Sequence, residues 1–310
     1  MRHQGFSLLE TVVALGMVIV LVLIFTASLN ALTTGTALRA STQAYQLAQT
    51  MLDSVRALPF SEIPTQTAGK PIFLPVERGS WTVADVGGSR ALTTDGLATP
   101  RITVPRALFR DGTVETQVRL GAGTPAGAGV LLLLRYWNDD THCVVRLAQN
   151  DLTVRKFVDG VSTTLYDSPP GTPTVGLDAW HTLAVTVDGS SMQVDVNGST
   201  LTTVVDTALS RGLLVLGAEN DARVSFDDVR IDTIPVLDGT FESSALGKSP
   251  DSWRTSTLAS LPEGTAALTI APYDGLSDLY QITATVTWSR PSGSRSAVLD
   301  TLISRNGIDQ

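Results

Sequence analysis

The stretch that decides the fold runs from residue 180 to residue 198 and has the sequence Trp180-His-Thr-Leu-Ala-Val-Thr-Val-Asp-Gly-Ser-Ser-Met-Gln-Val-Asp-Val-Asn-Gly198. It contains two short runs rich in valine and threonine, and each run ends in a turn dipeptide, Asp188-Gly189 or Asn197-Gly198. Asp-Gly and Asn-Gly favour the tight turns that join neighbouring antiparallel strands. The stretch therefore predicts antiparallel strands connected by short turns.

The same pattern extends in both directions along the middle of the chain. Short apolar or alternating runs recur there, and turn residues separate them at short, regular spacing. Such spacing is typical of an antiparallel β-sandwich. The predicted strands cover residues 113–120, 130–137, 142–147, 152–158, 180–187, 192–196, 212–217 and 223–231.

The strand pattern between about residues 77 and 232 carries a family resemblance. Trp180-His-Thr-Leu183, the two turn dipeptides and Phe226-Asp-Asp-Val229 resemble the LamG or concanavalin A-like jelly-roll superfamily. Members of that superfamily often bind glycans or proteins, and some are hydrolases. We predict a sandwich domain over residues 77–257. Residues 238–253 resemble a segment that usually opens such domains, so they either complete the sandwich in permuted order or lead out of it.

The N-terminus carries a second motif, Gly5-Phe-Ser-Leu-Leu-Glu10, followed by an apolar run to Phe25. A signal peptide or a plain membrane anchor would also contain such a run. However, a carboxylate inside it is costly and suggests a function. The motif resembles the leader of type IV prepilins and of type II secretion pseudopilins. That resemblance implies cleavage after Gly5 (leader residues 1–5) by a prepilin peptidase and N-methylation of Phe6.

Glu10 lies about one helical turn after Phe6. After cleavage, Phe6 would carry a positive amine in apolar surroundings, where an unpaired charge is costly. The Glu10 carboxylate could neutralise that amine within the chain or on a neighbouring subunit. We therefore expect other pilin subunits to bind through this helix, with Glu10 as the assembly residue.

The apolar pattern continues beyond the first run and predicts an amphipathic helix that ends at Pro59. Its apolar positions recur every three or four residues and are Ala44, Ala48, Met51, Leu52, Val55 and Leu58. One helix from Phe6 to Leu58 would be on the order of 80 Å long. Residues 6–28 would form its membrane or filament-core half, and residues 29–76 the outer half with its connection.

Residues 279–288 alternate between apolar and polar side chains, which predicts a strand. After a turn at residues 290–293, residues 296–303 are predicted to form the return strand. This hairpin resembles the closing strands of PilV-like minor pilins. The predicted fold class is therefore an α+β pilin, with a long N-terminal helix packed on a small antiparallel sheet (residues 258–310) and an inserted all-β jelly-roll sandwich.

The sandwich sequence offers little evidence of catalysis. Glycan hydrolases need paired carboxylates, but Glu115 stands alone, and Asp227 and Asp228 are expected on opposite faces of one strand. The three histidines lack metal-ligand spacing. Cys143 lies in a strand without a partner base, so we expect it to be a small core residue. We expect no enzymatic activity.

Two binding roles remain as hypotheses for the sandwich loops. Calcium prefers oxygen ligands, although turns are also rich in Asp and Asn for backbone reasons. Trp137 is a candidate sugar-stacking residue, with a strand-end core aromatic as the alternative. The candidate calcium ligands are Asn138, Asp139, Asp140, Asn220, Asp221 and Asp228.

These patterns favour a minor pilin of a type IV pilus that displays a lectin-like sandwich for surface or glycan adhesion. One alternative is a type II secretion pseudopilin whose sandwich contacts exported substrates, and another is an envelope-anchored glycan-active enzyme. The expected location is the bacterial inner membrane, as a single-pass protein with a periplasmic C-terminus, and then the pilus or cell surface. The net charge of −8 disfavours a nucleic-acid partner.

Overall fold

The computed structural model of the chain describes residues 25, 38–56, 58–65, 75–95, 99–104, 109–219, 221–236, 239–247, 261–290 and 293–305. These residues include a helix, α1 (residues 38–56), and short 3₁₀ turns at Phe60–Thr65 and Tyr273–Gly275. The strands are β1 (Glu77–Arg78), β2 (Thr82–Val86), β3 (Ser89–Thr94), β4 (Arg101–Thr103), β5 (Gly112–Leu120), β6 (Gly129–Asn138), β7 (Thr141–Ala148), β8 (Asp151–Val158), β9 (Val161–Asp167), β10 (Trp180–Asp188), β11 (Ser191–Val196), β12 (Ser199–Val205), β13 (Leu213–Ala218), β14 (Val224–Ile231), β15 (Ile234–Pro235), β16 (Thr265–Pro272), β17 (Leu279–Arg290) and β18 (Gly293–Ser304).

Two antiparallel sheets form a β-sandwich. The first sheet has the order β1-β4-β13-β6-β7-β8-β9, and the second has the order β12-β11-β10-β5-β14-β3-β2, with β15 beside β14. All eight strands predicted for the middle of the chain are present. The prediction of a jelly-roll-type sandwich is therefore confirmed, although β1, β3, β4, β9, β12 and β15 were not predicted.

The main core lies between the two sheets because successive residues of a strand point to opposite faces. On β10, for example, Leu183, Val185 and Val187 are buried in this core. Burial of each such side chain stabilises the fold by about 1.5–3 kcal/mol. The segment 239–247 also packs here: Phe241 is buried in the core, and the Gly247 amide donates a hydrogen bond of 2.8 Å to the Val83 carbonyl.

A second apolar cluster joins α1, the outer face of the first sheet and a separate three-stranded sheet. That sheet has the order β16-β17-β18, so the predicted C-terminal hairpin is present and β16 extends it. The predicted apolar side of the helix is buried in this cluster. Its buried residues are Ala44, Leu47, Ala48, Met51, Leu52 and Val55 of α1, with Leu58 beyond it.

The predicted fold class is wrong in one main respect. The described residues are mostly β-sandwich, and the helix α1, which packs on the three-stranded sheet, is 19 residues long rather than the long N-terminal helix predicted. The prediction joined an apolar run and an amphipathic run because a 3.6-residue period does not mark where a helix begins. Residues 6–37, apart from Phe25, lie outside the described residues.

The predicted location also requires correction. Within the described ranges, no helix is both long enough and apolar enough to cross a membrane. This finding contradicts the expected single-pass placement in the inner membrane. The residues on which that expectation depended, Gly5, Phe6 and Glu10 among them, lie outside the part of the chain that the structure describes.

A buried ion pair lies inside the sandwich. The side chain of Asp206 is fully buried, and its carboxylate lies 3.0 Å from the Lys156 Nζ atom. The same carboxylate accepts a hydrogen bond from the Cys143 thiol at 3.3 Å and another from the Ala208 amide at 3.1 Å. Cys143 is buried, as predicted. Burial and the charge of Asp206 raise the pKa of the Cys143 thiol, so the thiol stays protonated.

Candidate ligand-binding site

A cleft of about 570 Å³ lies on the outer face of the first sheet. The cluster around α1 covers the adjoining part of this face, over β6 and β13, and the cleft extends over β7 and β8. Its lining includes Thr99, Arg101, Gly127, Ala128, Leu131, Asp139, His142, Val144, Arg146, Thr153, Arg155, Phe157, Glu219 and Asp221.

Strands β7 and β8 form the floor of the cleft through three cross-strand pairs. His142 lies opposite Phe157, Val144 opposite Arg155, and Arg146 opposite Thr153. The intervening residues of both strands point into the sandwich core, because side chains alternate along a strand. The antiparallel register therefore places these six side chains on one surface.

An aromatic pair lies at one end of this floor. The His142 and Phe157 rings are stacked, with centroids 4.7 Å apart and planes inclined by 21°. The centroid of the Tyr136 ring lies 5.7 Å from the centroid of the His142 ring. The Nδ1–H of His142 donates to the Asn138 carbonyl at 3.2 Å. Burial, helped by the charge of Arg101, lowers the pKa of His142 to about 4, so its ring is neutral at pH 7.

Arg146 supports the opposite end of the floor. Its guanidinium contacts Glu219 at 2.6 Å and Asp151 at 2.5 Å, and it also donates to the Gly127 carbonyl. These contacts tie β7 to the loops after β13 and before β6. Because several donors of its guanidinium are already bound, Arg146 is a rigid part of the wall rather than a free cation.

Asp139, at the β6–β7 turn, is also held by cations. Its carboxylate contacts Arg78 at 2.7 Å and also contacts Arg101, and the Tyr136 hydroxyl donates to it at 3.2 Å. Burial would raise the pKa of Asp139, but the hydrogen bond from Arg78 and the charge of Arg101 outweigh it and lower that pKa. The Asp139 carboxylate is therefore an anion at pH 7.

The structure brings only part of the predicted calcium set to one place. Asp139 and Asp221 both line the cleft, whereas Asp228 lies in β14 of the other sheet, 3.3 Å from Arg230. Asn220 lies outside the described residues. Asn138 accepts a hydrogen bond from the Asp140 amide at 2.9 Å, a turn-stabilising contact. Among the residues that the structure describes, no group of three His, Cys, Asp or Glu side chains could hold a metal ion.

The candidate sugar-stacking residue Trp137 lies at the end of β6, where it packs against both apolar clusters. Its indole N–H donates to the Arg211 carbonyl at 2.6 Å. The cleft is lined instead by Phe157 and His142.

Sequence reasoning did not single out Arg146, Arg155 or Phe157, and it considered His142 only as a metal ligand. A usable signal was present on β8, where polar or aromatic residues occupy alternate positions. On β8 these positions are Thr153, Arg155 and Phe157. Period-two alternation predicts that such residues share one face.

Comparisons with known proteins show a similarity of fold only. No protein-family model and no curated protein matches the sequence. The solved structures with a similar fold include a carbohydrate-binding module, CBM66, from Bacillus subtilis (18% identity, TM-score 0.42, covering 54% of this chain and 98% of that one). They also include the galectin LEC-6 from Caenorhabditis elegans (12% identity, TM-score 0.32, covering 43% and 95%). A third is a putative glycosyl hydrolase from Parabacteroides distasonis (11% identity, TM-score 0.36, covering 54% and 100%).

Proposed function

We propose that this protein binds a glycan in the cleft over β7 and β8. The observation that carries the proposal is the stacked pair of Phe157 and His142 beside hydrogen-bonding side chains on the same rigid floor. A sugar ring has an apolar C–H face and a polar rim of hydroxyl groups. An aromatic side chain packs well against the C–H face. Arginine and carboxylate side chains can donate hydrogen bonds to the hydroxyl groups or accept them.

The size and rigidity of the cleft fit this role. A volume of about 570 Å³ falls within the range of small-molecule sites, roughly 300–1,000 Å³. The floor is built on paired strands, and ion pairs hold Arg146 and Asp139 in place. A preorganised surface loses less conformational entropy when a ligand binds.

A binding role fits this cleft better than glycan hydrolysis. A hydrolase needs one carboxylic acid with a raised pKa to protonate the leaving group. In this cleft the pKa of Asp139 is lowered, and Glu219 forms an ion pair with Arg146. Asp139 and Glu219 therefore suit a structural or hydrogen-bonding role, which favours binding over hydrolysis.

Replacing Phe157 with alanine should weaken glycan binding at least about tenfold, because the ligand loses an aromatic contact of about 0.5–1.5 kcal/mol together with buried apolar area. A glycan array would identify ligands, and calorimetry on the full chain would give the affinities. Phe157→Leu should also weaken binding, because it lacks the aromatic face. It should keep the melting temperature, because leucine retains the apolar packing that Phe157 makes at the edge of the second cluster. The matched control is Tyr273→Ala, at an exposed aromatic outside the cleft. If Phe157→Ala binds like the unmodified protein, the cleft is not the site.

A second candidate function concerns the N-terminus. We infer from Gly5-Phe6 and Glu10 that the chain is a pilin-type filament subunit, with the sandwich as its displayed part. A minor type IV pilin would display the cleft to surfaces, whereas a type II secretion pseudopilin would present it to exported substrates. The support is the sequence motif and the chemistry of a paired Phe6 amine and Glu10 carboxylate, and the expected partners are other subunits and the prepilin peptidase.

If this inference is correct, the mature chain should begin with N-methylated Phe6. Gly5→Leu should abolish cleavage in a cell that makes a prepilin peptidase, because the peptidase site requires a small residue there. Mass spectrometry of the intact protein provides the measurement. Gly16→Leu, a like change in the apolar run, should still be cleaved. A mature protein that retains Met1, or that begins after Ala27, would contradict the pilin assignment and leave the glycan proposal untouched.

A further inference from the structure

The cleft contains three arginines, and they differ in how they are bound. Arg101 pairs with Asp139, and Arg146 is held by Glu219 and Asp151. Arg155 is exposed and lines the same cleft. In the part of the chain that the structure describes, its guanidinium has no hydrogen-bond or ion-pair partner.

The backbone places Arg155 beside the aromatic pair. It lies two residues from Phe157 and two residues from Thr153 on the same face of β8, a spacing of about 7 Å along a strand. On the neighbouring strands it lies opposite Val144 and Thr164. A ring seated on Phe157 would therefore have its substituents within reach of the Arg155 side chain.

The charges around Arg155 leave it available for an anion. The cleft carboxylates Asp139 and Glu219 are already neutralised by other arginines. Asp167 lies opposite Thr153 on β9, diagonal to Arg155 on the same face, and among the described residues no ion pair joins it to Arg155. Asp221 follows β13, and β6 and β7 separate that strand from β8. Three strand spacings separate the two strands by about 14 Å.

We propose that the cleft takes an acidic sugar, with the sugar ring on Phe157 and its carboxylate bound by Arg155. A guanidinium has five N–H donors in a planar fork and no acceptor, and a carboxylate is its bidentate complement. A neutral sugar would leave this fork without an anionic partner. The inference rests on the proposed glycan-binding function and specifies its ligand class.

The test uses matched pairs of oligosaccharides, each a uronate and its counterpart with the carboxyl reduced to a primary alcohol, titrated into the full chain. The unmodified protein should bind the acidic member about tenfold to hundredfold more tightly. Arg155→Gln should remove this preference and leave the affinity for the neutral member within about twofold. Arg155→Lys should keep part of the preference, because it retains the charge but not the fork.

The control is Arg295→Gln, a like change at an exposed arginine of β18 outside the cleft, which should leave the preference intact. Because Arg155 is exposed, its variants should have the same melting temperature as the unmodified protein, which circular dichroism would measure. If neutral members bind as tightly as acidic ones, or only sulfated sugars bind, the acidic-sugar inference is wrong and the glycan proposal stands. If no oligosaccharide on the panel or on the array binds, both are wrong.

Discussion

Replacing Asp206 with alanine should lower the free energy of unfolding by about 3–5 kcal/mol, the usual cost of removing one partner of a buried ion pair. The Asp206 side chain is fully buried and accepts hydrogen bonds from Lys156, Cys143 and the Ala208 amide. Without the carboxylate, the largely buried Lys156 ammonium would lose its partner. Denaturant titration of the full chain would measure the change.

Two comparisons separate the ion pair from a general effect of mutation. Asp300→Ala, at an exposed position of β18, should change the free energy of unfolding by no more than about 0.5 kcal/mol. The double variant Asp206→Leu with Lys156→Met should be more stable than Asp206→Ala, since replacing both partners by apolar groups avoids an uncompensated charge. A double variant as unstable as the single one would show that the pair itself is not the cause.

Acidification from pH 6.5 to pH 4 should cost the fold up to about 3 kcal/mol through His142 alone. The folded-state pKa of His142 is lowered to about 4, mainly by burial and then by the charge of Arg101. An unfolded histidine titrates near 6.5. Below that pH the unfolded chain binds the proton first. The stabilisation that comes from keeping His142 neutral is therefore fully present above about pH 6.5, and it is lost as the pH falls towards 4.

His142→Phe should flatten this part of the stability profile, because phenylalanine keeps a ring against Phe157 but does not titrate. The comparison uses the free energy of unfolding of both proteins at pH 7 and at pH 4.5. Other carboxylates with altered pKa values, such as Asp227 and Asp139, are common to both proteins, so their contributions cancel in the difference. Parallel profiles would show that His142 does not carry the pH dependence.

The sequence predicted those features of the structure that depend on residues close to one another along the chain. The alternation in residues 113–120 and the turn dipeptides Asp188-Gly189 and Asn197-Gly198 predicted β5, β10 and β11 within a few residues. Asn197 and Gly198 both adopt positive φ in the structure, as tight hairpin turns require. The three- to four-residue apolar spacing likewise predicted which side of α1 is buried.

Much less of the candidate site could be predicted from such local patterns. The stacking of His142 on Phe157 depends on the register between β7 and β8, and a shift of one residue would move one of them into the core. Arg146 is held by Glu219, which lies far away in the sequence. No local pattern contains such a pairing, so the cleft could not be assembled from residue spacing.

Local residue patterns therefore established eight strands of the sandwich, several of its turns and the apolar faces of those strands, because period-two alternation and turn chemistry act over a few residues. The tertiary structure decided where the second apolar cluster closes and which part of the first sheet stays open as a cleft. It also decided that Arg101 and Arg146 form ion pairs, whereas Arg155 has no ion-pair partner among the described residues. Those outcomes depend on contacts between distant segments, and the free energy of such contacts is set only when the sheets and α1 have packed together.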